Sequence, residues 1–111
     1  MNATPQRLLE YLSSTGKNPF DEWLHGLRDI NARARIRIRL NRLRLGNFGD
    51  AKGVGNGVSE LRVPYGPGYR VYFGCLEDSV VLLLCGGDKS TQRNDIKLAK
   101  DYWADYQRRL S

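Results

Sequence analysis

Histidine and cysteine are scarce in this chain: its 111 residues include one His and two Cys. His25, Cys75 and Cys85 show no metal-ligand spacing, so neither a metal nor a cofactor is expected. His25 reads as a surface residue of a helix. No apolar run is long enough to cross a bilayer, so no membrane partner is expected. The start Met1-Asn2-Ala3-Thr4-Pro5-Gln6-Arg7 leads into no apolar stretch of the kind that marks a secretory leader. Together with cysteines too far apart for a local disulfide, this reads as a reduced, cytoplasmic protein. Acid is missing from one segment in particular. Asn31 to Gly46 holds six arginines and no Asp or Glu, which accounts for the whole formal charge of +6. That excess points to a polyanionic partner such as nucleic acid. The length allows one modest core, hence a single domain over 1–111.

The run Arg7-Leu8-Leu9-Glu10-Tyr11-Leu12 suits a strand, ended by Thr15-Gly16-Lys17. Asn18 followed by Pro19 marks a helix start, with asparagine as cap and proline in the first turn. Phe20, Trp23, Leu24 and Leu27 then recur at helical spacing, and the helix ends near Arg28, with Asp29 or Asn31 capping the next. Residues 32–45 fit two patterns. Ala34, Ile36, Ile38 and Leu40 alternate with Arg33, Arg35, Arg37 and Arg39 as in a strand. As a helix, Ala32, Ile36, Leu40 and Leu43 form one stripe, and Ala34, Ile38 and Leu45 form a second on the opposite side. Arginine is a good helix former and the run exceeds a typical strand, so we take the helix. One stripe is expected on the sheet, and the other against the first helix or an external partner. Gly46 to Gly57 reads as a long glycine-rich loop, in which Lys52 is either part of a solvated connector or a nucleic-acid contact. The chain closes with Ser90-Thr91 as cap and a helix whose stripe is Ile96, Ala99, Trp103 and Tyr106.

Between these elements lie β-type runs joined by Pro64-Tyr65-Gly66-Pro67-Gly68. With Val63 opposite Tyr69, Arg62 lies across from Arg70 on one face, and the two like charges repel. Two readings remain open: an anion such as phosphate between the guanidinium groups, or two solvated arginines each near an acid such as Glu60 or Asp88. A second hairpin at Glu77-Asp78 pairs Leu76 with Ser79 and Cys85 with Arg70. This places Leu61, Val63, Tyr69, Val71, Phe73, Leu82 and Leu84 on a core face, and Glu60, Arg62, Arg70, Tyr72 and Leu83 on the other. Gly86-Gly87-Asp88-Lys89 reads as a turn that brings Lys89 to the arginines' end of the sheet.

The order strand, helix, basic helix, three-stranded meander, helix implies an α+β domain. The strings Phe20-Asp21-Glu22-Trp23-Leu24, Tyr69-Arg70-Val71-Tyr72-Phe73, Leu82-Leu83-Leu84-Cys85-Gly86-Gly87-Asp88-Lys89-Ser90 and Ile96-Lys97-Leu98-Ala99-Lys100-Asp101-Tyr102-Trp103 resemble the RelE/ParE superfamily of toxins, closest to its phage-derived, HigB-like addiction-module killer branch. The resemblance implies an N-terminal strand, a two-helix hairpin, an antiparallel three-stranded meander and a C-terminal helix. It further implies the toxin of a type II toxin–antitoxin pair that cleaves mRNA in the ribosomal A site without a metal. Its partners would be the ribosome, mRNA and a cognate antitoxin, a helix-turn-helix DNA-binding protein encoded in the adjacent gene. The family's Tyr-Arg arginine corresponds to Arg70, and its basic residues before and after correspond to Arg62 and Lys89. Where some members carry a proton-transferring Tyr or His near the C-terminal end, this chain offers Asp95, Ile96, Lys100 and Tyr102, which leaves the general acid and base open.

In metal-free RNA cleavage the 2′-OH attacks the neighbouring phosphate, and preorganised cations stabilise the charge that builds on its oxygens. On that basis Arg70, Arg62 and Lys89 are the expected phosphate donors, and Tyr72 is expected to stack or position. Glu60 is either a general base or the ion-pair partner of Arg62. Arg35, Arg37, Arg39, Arg42, Arg44 and Lys52 are the expected RNA-backbone contacts, and Ala34, Ile38 and Leu45 the candidate antitoxin surface. The alternatives are a ParE-like noncatalytic inhibitor of DNA gyrase and a basic RNA-binding module without chemistry.

Overall fold

Two helix caps are made as the sequence implies. The Asn18 side chain accepts the Asp21 backbone N–H at 3.0 Å, and Pro19 opens helix α1 (Pro19–Gly26). The Asp29 carboxylate accepts from the Asn31 and Ala32 backbones at 2.9 and 3.2 Å and opens α2 (Ile30–Arg44). The period-two alternation is therefore incidental: Ala32, Ile36, Leu40 and Leu43 are all buried, as a helical stripe requires. The last helix is α3 (Gln92–Leu110).

The computed structural model describes residues 4–111, so Met1 to Ala3 of the leader reading lie outside it. Five strands, β1 (Arg7–Glu10), β2 (Ala51–Gly55), β3 (Val58–Val63), β4 (Tyr69–Glu77) and β5 (Val80–Asp88), form one mixed sheet in the order β1-β5-β4-β3-β2. β1 runs parallel to β5, and the other pairs are antiparallel. α1 packs along β5 and α2 along β3, over a core that includes Phe20, Ile36, Leu61 and Phe73. α3 covers the opposite face, with Tyr72, Leu82, Leu84, Ala99 and Trp103 beneath it. The result is an α+β fold with helices on both faces of the sheet. No helix among the described residues is long and apolar enough to cross a membrane.

Three expectations are corrected. The Gly46–Gly57 loop contains β2, so the meander has four strands rather than three. Asn56 and Gly57 both take positive φ, 58° and 86°, as the tight turn between two hairpin strands demands. Gly53 and Gly55 dilute the strand signal and hide it. The β4–β5 register also differs: Cys85 pairs with Tyr72 rather than Arg70, Arg70 with Gly87, and Cys75 with Val81, with irregularities at Tyr72/Phe73 and Cys75/Glu77. The slip is two residues at Arg70 and Tyr72 but one over Phe73 to Cys75, and the odd step reverses the faces there, so Val81 and Leu83 join Leu61 and Phe73 while Leu82 and Leu84 turn to α3. Finally, Gly86 and Gly87 form no turn but continue β5 to Asp88. A Cβ at Gly86 would collide with the Trp23 ring, and one at Gly87 with the Asp95 carboxylate.

The helical cap is also not as expected. Asp88 caps the 3-10 turn Lys89–Thr91 by accepting the Ser90 backbone N–H at 2.8 Å. Thr91 stands before α3 but makes no cap bond, because its hydroxyl donates to Asp95.

Candidate functional site

The β3–β4 register is as the sequence implies at its centre: Arg62 stands opposite Arg70, and Glu60 opposite Tyr72. Alternation along the strands turns all four side chains toward α3. The anion between the two arginines is supplied by the protein itself. Arg62 Nε donates to Glu60 Oε1 at 3.1 Å, and Arg70 Nε lies 3.6 Å from Glu60 Oε2. Gln92, from the first turn of α3, donates to the same Oε2 at 2.8 Å, and the Tyr72 hydroxyl does so at 3.3 Å.

Glu60 is 0% exposed. Burial by itself raises its carboxyl, but hydrogen bonds from Gln92 and Arg62 and the charges of Arg70 and Arg62 outweigh that and hold it below the usual carboxylate value. An ionised carboxylate that is fully enclosed and already accepts three hydrogen bonds is out of reach of a substrate hydroxyl. The geometry fits Glu60 as the ion-pair anchor of both arginines. Tyr72 is equally enclosed, so no base can stack on it, and its role is to position Glu60. Its hydroxyl is driven well above the ordinary tyrosine value by burial first and then by the Glu60 and Asp95 charges.

The two arginines differ in what they can still bind. The Arg70 side chain is 12% exposed and commits Nη1 to the Gly68 carbonyl at 2.7 Å, while its Nε has no hydrogen-bond partner among the described residues. The Arg62 side chain is 36% exposed, and among the described residues only its Nε is engaged. Lys89 is exposed and flanks the same glycine as Arg70: a Cβ at Gly68 would lie 3.2 Å from Arg70 Nη1 and 3.6 Å from the Lys89 Cβ. Arg62, Arg70 and Lys89 are thus brought to one end of the sheet, against Glu60 and Asp88. Such a cluster, one positive charge in excess, can take an anion from the solvent side.

Gln92 and Asp95 are the residues that the site reading missed. Nothing in the sequence marks Gln92, whose reach to Glu60 depends on where α3 crosses the sheet. Asp95 is buried beside Gly87, the cross-strand neighbour of Arg70, and burial pushes its carboxyl up despite the hydrogen bond from Thr91. Two consecutive glycines followed by an acid eight residues on were the available signal.

The basic helix lies on the other face of the sheet, and its arginines diverge. Arg35, Ile38, Arg39 and Arg42 line a groove of about 440 Å³ that runs to Tyr65, Asp50 and the end of β3 at Arg62. Within it Arg35 lies 4.6 Å over the Tyr65 ring, and Arg39 is structural, donating to the Arg62 and Phe48 carbonyls at 3.4 Å. Arg37 and Arg44 line a different hollow, which also holds Glu10 and Asp21. Lys52 is exposed on β2, opposite Glu60. The second stripe is open: Ala34 is exposed, and Ile38 and Leu45 are 50% and 69% exposed. Of the two alternatives for this stripe, cover by the first helix does not hold, because α1 packs along β5 and leaves Ile38 and Leu45 exposed.

No protein-family model matches the chain. It is 54% identical over 81 residues to a protein of Haemophilus influenzae strain Rd whose name is simply uncharacterized protein, a match spanning 73% of this chain and 82% of that one. The chain belongs to the same family as that protein.

Proposed function

We propose that this chain is the toxin of a type II toxin–antitoxin pair and acts as a metal-independent, ribosome-dependent mRNA endoribonuclease of the RelE/ParE kind, in the cytoplasm. The observation that carries the reading is Arg62 held opposite Arg70 by a buried carboxylate, with Lys89 beside them. Glu60 prevents the guanidinium groups from splaying apart, so donors stand preorganised where charge would build on a scissile phosphate. The open Nη groups of Arg62 and the Lys89 ammonium would meet the phosphate, with Arg70 backing them. An RNA strand leaving this site would follow the groove past Tyr65 to Arg35 and Arg42, and Lys52 lies on the opposite flank. The order of the secondary elements, with β2 added, also supports a RelE-like arrangement.

Each donor of this kind is worth about 2–4 kcal/mol in the transition state, or roughly thirty- to a thousandfold in rate. Arg62→Ala is therefore expected to lower translation-dependent mRNA cleavage by about that factor and to relieve growth arrest while the far-UV circular dichroism is unchanged. A folded Arg62→Ala protein as toxic as its parent ends this reading. Arg70→Ala is expected to lower cleavage too, through Arg62, because it leaves the shared Glu60 anchor half-paired, and Lys89→Ala to weaken it less. One observation favours a second reading, the noncatalytic one: the enclosure of Glu60 and Tyr72 leaves the arginines no obvious proton-transfer partner. A gyrase inhibitor would poison supercoiling without cleaving RNA, and a simple RNA-binding module would retain RNA without either activity.

A further inference from the structure

Three of the six large hydrophobic side chains exposed among the described residues, Ile30, Ile38 and Leu45, lie on α2 or at its C-terminal cap. With Ala34 they stand at i, i+4, i+8 and i+15, one seam on the side opposite the buried stripe, about 22 Å from end to end. The arginines border it on both sides. In coiled-coil terms Ile38 and Leu45 take a positions, Ala34 and Asn41 take d, and Arg35, Arg37, Arg42 and Arg44 occupy every flanking e and g position from Arg35 onward. No acid lies between Ile30 and Gly49, and among the described residues no carboxylate comes within 4.0 Å of an α2 arginine.

We propose that this seam docks an acidic amphipathic helix of a partner protein. A second copy of the chain is disfavoured by its own charges, since two such helices would set arginine against arginine at every flank. RNA in the groove that Ile38 helps to line would use the arginines but leave Ile30 and Leu45 in water. An acidic helix with apolar a and d positions satisfies both sets of groups. Because Arg35 and Arg42 also line the groove toward Arg62, a helix seated here would exclude a polyanion from that groove. This exclusion rests on the RNA-binding reading above; the docking itself does not.

The probe is a synthetic peptide of about three heptads with Leu at a and d and Glu at e and g, together with a Lys-flanked twin and a short single-stranded RNA. Anisotropy should show the Glu peptide binding and the Lys peptide not. Ile38→Ser and Leu45→Ser, both at exposed positions, should each weaken the Glu peptide by about tenfold, and Leu45→Ser, outside the groove that Ile38 helps to line, should leave RNA binding unchanged. Arg37→Glu with Arg44→Glu should weaken the peptide more than the RNA, since those arginines lie outside the groove. Peptide binding indifferent to Ile38→Ser and Leu45→Ser is mere charge adhesion and overturns the proposal. RNA binding that falls in parallel with peptide binding in Leu45→Ser assigns the seam to RNA and overturns it too. Sedimentation that shows a dimer dissociating in Ile38→Ser makes the seam a self-interface, with the same result. Failure of the RNA to bind at all, with the peptide bound as expected, would count against the nuclease reading and not against the docking.

Discussion

At Glu60, desolvation and ion pairing act in opposite directions, and ion pairing wins. Burying a carboxylate without partners is costly, but here two guanidinium groups, an amide and a phenol converge on it. Its folded-state pKa is depressed, so the stability it contributes is complete above the ordinary glutamate value of 4.5 and is lost as pH falls through the lower folded value. Asp95 has the opposite sign: its raised pKa adds stability at low pH that is lost as pH rises. Glu60→Gln should therefore destabilise the protein at pH 7, toward the lower end of the ~3–5 kcal/mol typical of a broken buried pair, because Arg62 can turn to water while Arg70 cannot. The difference between parent and variant should shrink in denaturant melts below pH 4.5. Parallel curves at every pH would show that Glu60 is not the anchor.

Strand β5 ends in a pair of glycines that serve two faces at once. Gly86 leaves room for the Trp23 ring on the α1 side, and Gly87 leaves room for the Asp95 carboxylate on the α3 side. Gly74 does the same for Trp103 on β4. Each tryptophan is seated by the absence of a methyl group, so α1 and α3 approach the sheet more closely than a Cβ would allow. Gly86→Ala should cost about 1–3 kcal/mol through overpacking, with Trp23 displaced. Urea melts followed by tryptophan fluorescence will test this; an unchanged midpoint would mean that the ring shifts aside freely. Since Gly86 lies on the face away from Glu60, RNA binding by the folded variant should match the parent.

Across the whole molecule, positive charge is divided between two faces of the sheet that meet only at the end of β3. The arginine pair lies under α3 and the basic helix lies over the other face, with the groove at Tyr65 joining them. If RNA follows that groove, affinity should fall steeply with salt through counterion release. Arg35→Glu with Arg42→Glu should lower both the affinity for a short RNA and the slope of log K against log salt, by roughly 0.7 for each phosphate no longer neutralised. Arg37→Glu with Arg44→Glu should change the slope less. Equal effects of the two pairs would place the RNA elsewhere.

The sequence by itself determined the features that depend on neighbours in the chain. The Asn18 and Asp29 caps, the buried stripe of α2, the Arg62–Arg70 opposition and the stripe of α3 follow from local periodicity and turn chemistry, which act over a few residues. What the sequence did not yield depends on contacts between distant segments. The β4–β5 irregularities shift the register by one and reverse Leu82, Leu83 and Leu84, because period-two alternation carries no memory of an extra residue. β2 was hidden because glycines contribute little strand propensity of their own, and its pairing with β3 supplies the stability instead. Gln92 reaches Glu60 across 32 positions of sequence, and only the packing of α3 on the sheet puts the amide there. Whether the like charges of Arg62 and Arg70 wait for a ligand or already share a carboxylate was likewise undecidable from spacing. Burial decided it, since a carboxylate at 0% exposure between two guanidinium groups is the counterion nearest to hand.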